Sequence, residues 1–142
     1  MKRYSVVLDT SVLASALKSN LGASFKILSL IRSDKFEFHL SVPLVCEYDS
    51  VLKRAQIGTI LTNDEIDELI DILCLLGIKH EIWYLWRPLL PDAEDEFVAE
   101  LAVTAQVDAI VTHNLKDFRG VEKFGIKVLT PKEFLQEIGE AK

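Results

Sequence analysis

The sequence contains few of the residues that define several common classes of small protein. Only two of its 142 residues are cysteine, Cys46 and Cys74, and both lie in apolar helical patterns outside any CxxC pair. A small disulfide framework is therefore not indicated, and a reducing, cytoplasmic setting is expected. No apolar run approaches the length of a bilayer span, and the apolar start of the chain is interrupted at Asp9. We expect neither a secretion signal nor a membrane segment.

A surplus of basic residues is also absent. The chain has 16 Lys and Arg against 22 Asp and Glu, a net charge of −6. Phosphate affinity comes from Lys and Arg, which release counterions, so an acidic chain is ordinarily a poor nucleic-acid binder. Histidine is scarce as well, and the three that occur, His39, His80 and His113, are predicted to pair with nothing. The apolar fraction of 49 % is sufficient for a core and excludes disorder for most of the chain.

Short apolar runs, several of them rich in β-branched residues, predict the strands. They lie at residues 5–8, 36–40, 109–112 and 127–129, with a further candidate at 78–82. Helical patterns separate these runs throughout the chain. Alternation of this kind predicts an α/β fold in which helices cover both faces of a central parallel sheet of four or five strands. We expect a single three-layer α/β/α domain that spans residues 1–142.

Helix boundaries are marked by capping signals. Thr62 and Thr130 begin capping-box sequences, and Gly77 stands where a C′ glycine ends a helix. The stripe through Phe25, Leu28 and Ile31, widened by Ile27 and Leu30, predicts the buried face of a second helix.

Acidic and amide side chains fall at strand ends and at helix starts, where open parallel sheets bind their ligands. Asp9 follows the first strand, and Glu47 borders the apolar stripe of the third helix. The other candidates are Asp92 and Asp95, at the start of a helix from about Asp95 to Ala105, and Asn114 and Asp117, in the loop after the 109–112 strand. Each has an alternative interpretation as a helix cap, a solvated side chain or a turn former. Together they form an all-oxygen set, which favours Mg²⁺ or Mn²⁺.

Four segments in order resemble the PIN domain, in particular the VapC-like toxin components of toxin–antitoxin systems. They are Val7–Val12, Leu44–Arg54, Asp92–Phe97 and Val111–Phe118. The end of the chain, from Gly125 to Leu135, is also similar to that group. The resemblance covers almost the whole chain.

The resemblance implies a set of site residues. Asp9, Glu47 and Asp95 would be the first three metal-binding and catalytic acids, and Asp117 would be the fourth or would share that role with Asn114. Ser11 would orient the first acid or its metal-bound water, and Asp92 would be auxiliary. Many members of the family have Asp where this chain has Asn114, so occupancy of a second metal site stays open.

The resemblance also implies an activity and partners. The activity would be Mg²⁺- or Mn²⁺-dependent cleavage of RNA by an endoribonuclease, and the partners would be the RNA substrate, a cognate antitoxin and a second copy in a homodimer. A PIN-like RNA- or protein-binding module with impaired catalysis is the alternative, and the neutral Asn114 favours it. A small-molecule phosphatase is a third class. The basic residues Lys116, Arg119, Lys123 and Lys127 either neutralise phosphates near the site or are simply solvated.

Overall fold

The fold is built on a five-stranded parallel sheet. The computed structural model describes residues 3–19, 21–54, 61–81 and 93–141, and for residues 93–96 it describes the backbone alone. The strands are β1 (Tyr4–Leu8), β2 (Phe36–Leu40), β3 (Ile78–Lys79), β4 (Ala109–Val111) and β5 (Lys127–Leu129). The helices are α1 (Thr10–Lys18), α2 (Ala23–Ser29), α3 (Val42–Leu52), α4 (Asn63–Leu76), α5 (Ala93–Ala105) and α6 (Pro131–Glu137). Two 3₁₀ turns, Leu115–Phe118 and Val121–Phe124, lie between β4 and β5.

The strands are arranged in the order β3-β2-β1-β4-β5, and every pair is parallel. In the register of the central pair, Leu8 of β1 lies opposite Val111 of β4. The three-layer α/β architecture expected from the alternating pattern is confirmed, with five strands rather than four.

The central strands are short and buried, because their side chains are apolar and largely β-branched. Val6, Val7, Ile110 and Val111 have no exposed surface, as expected for a parallel sheet with covered faces. Helix α5 packs against β1, β2 and β4, while α1 packs against α2 and α3. No helix in the described parts of the chain is long and apolar enough to cross a bilayer.

The buried face of α2 agrees with the predicted stripe at Ile27 but not at Phe25. Phe25 is 39 % exposed, and the residues that α2 buries are Ser24 and Ile27. A stripe centred on Ile27 turns the smaller Ser24 inward, where its hydroxyl reaches a polar partner, His113. An apolar pattern alone could not identify a buried serine.

Gly77 ends α4 as predicted, but for a different reason. Its backbone is extended, with φ −77°, so the left-handed conformation of a C′ glycine is not required. A Cβ at this position would instead lie 2.6 Å from Leu40 Cδ1 and 2.8 Å from Phe38 Cε2. Glycine therefore allows the end of α4 to pass close to β2.

Substitution of Gly77 should reveal this close approach. We expect Gly77→Ala to lower the free energy of unfolding by about 1–3 kcal/mol, the usual cost of overpacking a core, measured by urea denaturation. Gly22→Ser is the control, because a Cβ at Gly22 meets nothing within 4 Å. Equal stability of the two variants would contradict the steric explanation.

Tyr4 should give the stability an alkaline pH dependence. Its buried hydroxyl has no hydrogen-bond partner among the described residues, and burial, with smaller contributions from Glu137 and Asp108, raises the pKa of Tyr4 to about 12. Unfolded tyrosine ionises near pH 10, so the free energy of unfolding should fall as the pH rises from 10 to 12. Tyr4→Phe should weaken that fall in urea denaturation at several pH values. At pH 7 the substitution should be neutral or stabilising by up to about 1 kcal/mol, and a clear loss of stability would contradict this expectation.

Candidate functional site

The candidate site lies where the order of strands reverses direction. From β1 the chain proceeds to β2 on one side, and β4 lies on the other side. A crevice beyond the carboxyl ends of such neighbouring strands is the usual ligand site of an open parallel sheet. Asp9 directly follows β1, and its backbone N–H donates to the carbonyl of Val111, 2.9 Å away, at the end of β4.

Two hydroxyl groups hold the Asp9 carboxylate. Ser11 Oγ donates to Asp9 Oδ2 over 2.7 Å, and Thr112 Oγ1 donates to the same oxygen over 2.8 Å. Asp9 stands at the N-cap position of α1, yet its side chain makes no capping bond. Asp9 is 6 % exposed as a residue, and no Lys or Arg in the described part of the chain forms an ion pair with its carboxylate. Capping therefore does not account for Asp9.

Glu47 approaches the same place from α3. Its Oε2 accepts a hydrogen bond of 2.7 Å from Thr10 Oγ1, next to Asp9 in the chain. The neighbouring Tyr48 is fully buried and donates its hydroxyl proton to the carbonyl of Leu8. Burial raises the pKa of Tyr48 well above its usual value, and the negative charges of Asp9 and Glu47 raise it further. Both carboxylates therefore lie within electrostatic range of one hydroxyl.

The loop after β4 is connected to this group through its backbone. The N–H of His113 donates to Ser11 Oγ over 3.2 Å, and the N–H of Asn114 donates to Thr112 Oγ1 over 2.9 Å. The side chains of Asn114 and Asp117 are exposed. They line a cavity of about 340 Å³ together with His113, Leu115, Lys116 and Thr130.

The third predicted acid lies only partly within the described structure. Asp95 is in the first turn of α5, which begins two residues earlier than expected. The structure describes the backbone of Asp95 but not its side chain. Asp92 lies outside the described residues. Among the described residues no three His, Cys, Asp or Glu side chains form a group that could hold a metal ion. The oxygen donors of Asp9 and Glu47 are nevertheless of the kind that Mg²⁺ and Mn²⁺ prefer.

The site thus combines predicted and unpredicted residues. Asp9, Ser11 and Glu47 converge, whereas the described contacts tie Asp117 to the group only through its backbone N–H, which donates to the carbonyl of Asn114. Sequence reasoning missed the supporting hydroxyls of Thr10, Thr112 and Tyr48, although Thr10 directly follows Asp9 and Thr112 directly follows the end of β4. It also missed Glu100, a carboxylate of α5 that is 1 % exposed.

The prediction that the three histidines pair with nothing is wrong. His39 Nδ1 lies 2.7 Å from His80 Nε2, because the parallel pairing of β2 with β3 brings these two residues together. His113 Nε2 lies 2.9 Å from Ser24 Oγ. Sequence spacing hides such contacts, since the partners are 41 and 89 residues apart.

Comparison with known proteins identifies the family. Residues 5–116 match the model of the PIN domain, and the chain belongs to that family. PIN domains are generally nucleases. The fold is similar to a chain in the crystal structure of VapBC2 from Rickettsia felis bound to a DNA fragment from their promoter. That chain is 14 % identical, the match covers 89 % of this chain and 98 % of the other, and the TM-score is 0.62. No curated protein matches.

The bond between Thr112 and Asp9 should contribute measurably to stability. Thr112→Val keeps the side-chain shape but removes the donor to Asp9 and the acceptor for Asn114. We expect a loss of about 2–3 kcal/mol in the free energy of unfolding, since hydrogen bonds to charged groups are the stronger ones, measured by urea denaturation in EDTA. Thr112→Ser, which keeps the hydroxyl, should lose about 1 kcal/mol. The expectation fails if the valine variant is as stable as the serine variant.

Proposed function

We propose that this protein is a Mg²⁺- or Mn²⁺-dependent endoribonuclease that hydrolyses RNA phosphodiester bonds, and that it is the toxin of a toxin–antitoxin pair. One observation carries the proposal: in a PIN domain, the Asp9 carboxylate lies beside Glu47 at the place where the order of strands reverses. Two neutral hydroxyl groups fix this carboxylate. A buried anion held without a positive partner in the described structure is a strong candidate to bind a cation.

The proposed ligands are Asp9, Glu47 and Asp95, with Asp117 as the fourth or sharing that role with Asn114. The family match includes Asn114 but ends one residue before Asp117. Both bonds to Asp9 reach Oδ2, and among the described residues none donates to Oδ1. Asp9 Oδ1 is therefore the oxygen most available to a cation. Asp92 stays an auxiliary candidate, and Ser11 is the auxiliary residue that orients Asp9.

The chain's own groups position the carboxylates. Ser11 and Thr112 fix the plane of the Asp9 carboxylate, and Thr10 fixes one oxygen of Glu47. A divalent cation, when bound, supplies an activated water near neutral pH and stabilises the attacking and leaving oxygens of the phosphate. Hydrolysis in this manner leaves a 3′-hydroxyl and a 5′-phosphate.

Substrate binding depends on where the charges lie. Lys116, Arg119 and Lys123 are exposed on the segment that follows the site, and Lys127 is paired with Glu137 over 3.2 Å. The first three can neutralise phosphates of an RNA strand that enters the crevice. Because the site itself is acidic, we expect RNA to bind well only when a divalent cation is present.

The proposed partner is an antitoxin protein, by analogy with the VapBC2 assembly that shares the fold. We also propose a homodimer and a cytoplasmic location. Because Asn114 is neutral, one alternative function is a PIN domain that binds RNA or protein without cleaving RNA.

Asp9→Asn should distinguish a metal-dependent nuclease from a PIN domain that only binds RNA or protein. The substitution keeps the size of the side chain but removes the charge, and we expect cleavage of an oligoribonucleotide with Mn²⁺ to fall roughly 100-fold or more. The thermal stabilisation by Mn²⁺ should disappear as well. Asp34→Asn is the matched control, because Asp34 is exposed and pairs only with Arg3 in the described structure. It should behave as the unaltered protein does.

Other results would overturn parts of the proposal. A 2′,3′-cyclic phosphate product would exclude hydrolysis by activated water. Stabilisation by Mn²⁺ with RNA binding but no cleavage would favour the binding module. Turnover of nucleotides or sugar phosphates without RNA cleavage would favour a phosphatase, and tight RNA binding in EDTA would contradict the role of the cation in substrate binding.

A further inference from the structure

Ser24 and His113 connect two parts of the chain that the sheet does not join. Ser24 lies in α2 and is 3 % exposed, and its Oγ is 2.9 Å from Nε2 of His113 in the loop after β4. The two residues are 89 positions apart. Buried hydroxyl groups need a partner, and here that partner is an otherwise exposed imidazole.

His113 is bonded on its backbone side as well. Its N–H donates to Ser11 Oγ over 3.2 Å, and Ser11 Oγ donates to Asp9 Oδ2 over 2.7 Å. A continuous series of contacts therefore runs from Ser24 through His113 and Ser11 to the Asp9 carboxylate. In the same loop the N–H of Asn114 donates to Thr112 Oγ1, which in turn donates to Asp9 Oδ2.

Among the described residues, this loop has few other attachments. Residues 113–117 are all exposed, and the first fully buried side chain after β4 and Thr112 is Phe118. Segments with little buried apolar area open at low free-energy cost. Helix α2, in contrast, packs against α1 and α6, and Lys26 Nζ donates to the carbonyl of Glu140 over 2.8 Å. Ser24 thus attaches an exposed loop to a helix that is held from two sides.

We infer that Ser24 and His113 form a positioning pair that keeps the loop after β4 at a fixed distance from Asp9. Since this loop carries Asn114 and Asp117, the pair sets how tightly the site binds a divalent cation. This consequence for the cation rests on the proposed function, whereas the bracing of the loop rests on the contacts alone. His113 acts here through the residues it holds and is not assigned to the reacting atoms.

The bracing is tested in the protein without metal. Amide hydrogen exchange, followed by NMR, reports the N–H groups of His113 and Asn114, which the loop contacts protect. We expect Ser24→Ala and His113→Ala each to speed exchange of both amides by roughly 10-fold. His113→Gln should preserve the protection, because its amide can replace Nε2 in the bond to Ser24. Ser29→Ala is the matched control on the same helix, since its hydroxyl donates to the carbonyl of Lys26.

The effect on the site is tested by calorimetric titration with Mn²⁺. Ser24→Ala and His113→Ala should each weaken Mn²⁺ binding roughly 10-fold, as the loss of an outer-shell partner does. The double variant should bind no more weakly than either single variant, because both changes break one connection. His113→Gln should restore most of the affinity, and Ser29→Ala should leave it unchanged.

The outcomes separate the pair from the proposed function. Unchanged exchange at His113 and Asn114 in both alanine variants would overturn the bracing. Faster exchange with unchanged Mn²⁺ affinity would overturn the inference that the Ser24–His113 pair sets how tightly the site binds the cation. If the unaltered protein binds no Mn²⁺, the proposed function fails together with the consequence for the cation, and the exchange data still decide whether the pair braces the loop. His113 is exposed, so His113→Ala gives this answer even if Ser24→Ala does not fold.

Discussion

The parallel pairing of β1 with β4 is the constraint on which the site depends. Leu8 lies opposite Val111, so the residues that follow the two strands, Asp9 and Thr112, meet at one edge of the sheet. Side chains alternate between the faces of a strand, and a slip of one residue would turn Thr112 away from Asp9. Both faces of these strands are buried, so such a slip would also exchange the side chains that pack on the two faces and disrupt the core. The energy that fixes the register of the core thus fixes the geometry of the site.

The carboxylates are oriented by hydroxyl groups rather than by charged side chains. Thr10, Ser11 and Thr112 each donate one hydrogen bond to a carboxylate and add no positive charge. An arginine or lysine in the same place would hold the acid as firmly but would neutralise it and compete with a cation. Neutral donors allow an anion to be buried and rigid while its charge is kept for a ligand, which is how outer-shell residues serve metal sites.

Local patterns made most of the fold and part of the site predictable. The run from Ser5 to Leu8 and its polar end at Asp9 are adjacent in sequence, and the capping boxes at Thr62 and Thr130 span only four residues. The contacts that were missed join distant residues, 103 positions apart for Thr112 and Asp9 and 89 for Ser24 and His113. One sequence carries no record of such partners. Gly77, at the end of α4, shows the same limit, since its steric neighbours, Phe38 and Leu40, belong to β2, far from it in the sequence.

The acidic composition acquires a different meaning once the fold is known. Four of the 22 acidic residues are proposed for one site, and the rest nearly balance the 16 basic residues. Under the proposed function, the excess negative charge would be concentrated at the carboxyl edge of the sheet, where it would repel phosphate until a cation neutralised it. Exposed basic residues lie on the segment after β4, beside that edge. A chain with such a site would not need a basic surface to act on RNA, because the cation that activates the site would also remove the main barrier to the substrate.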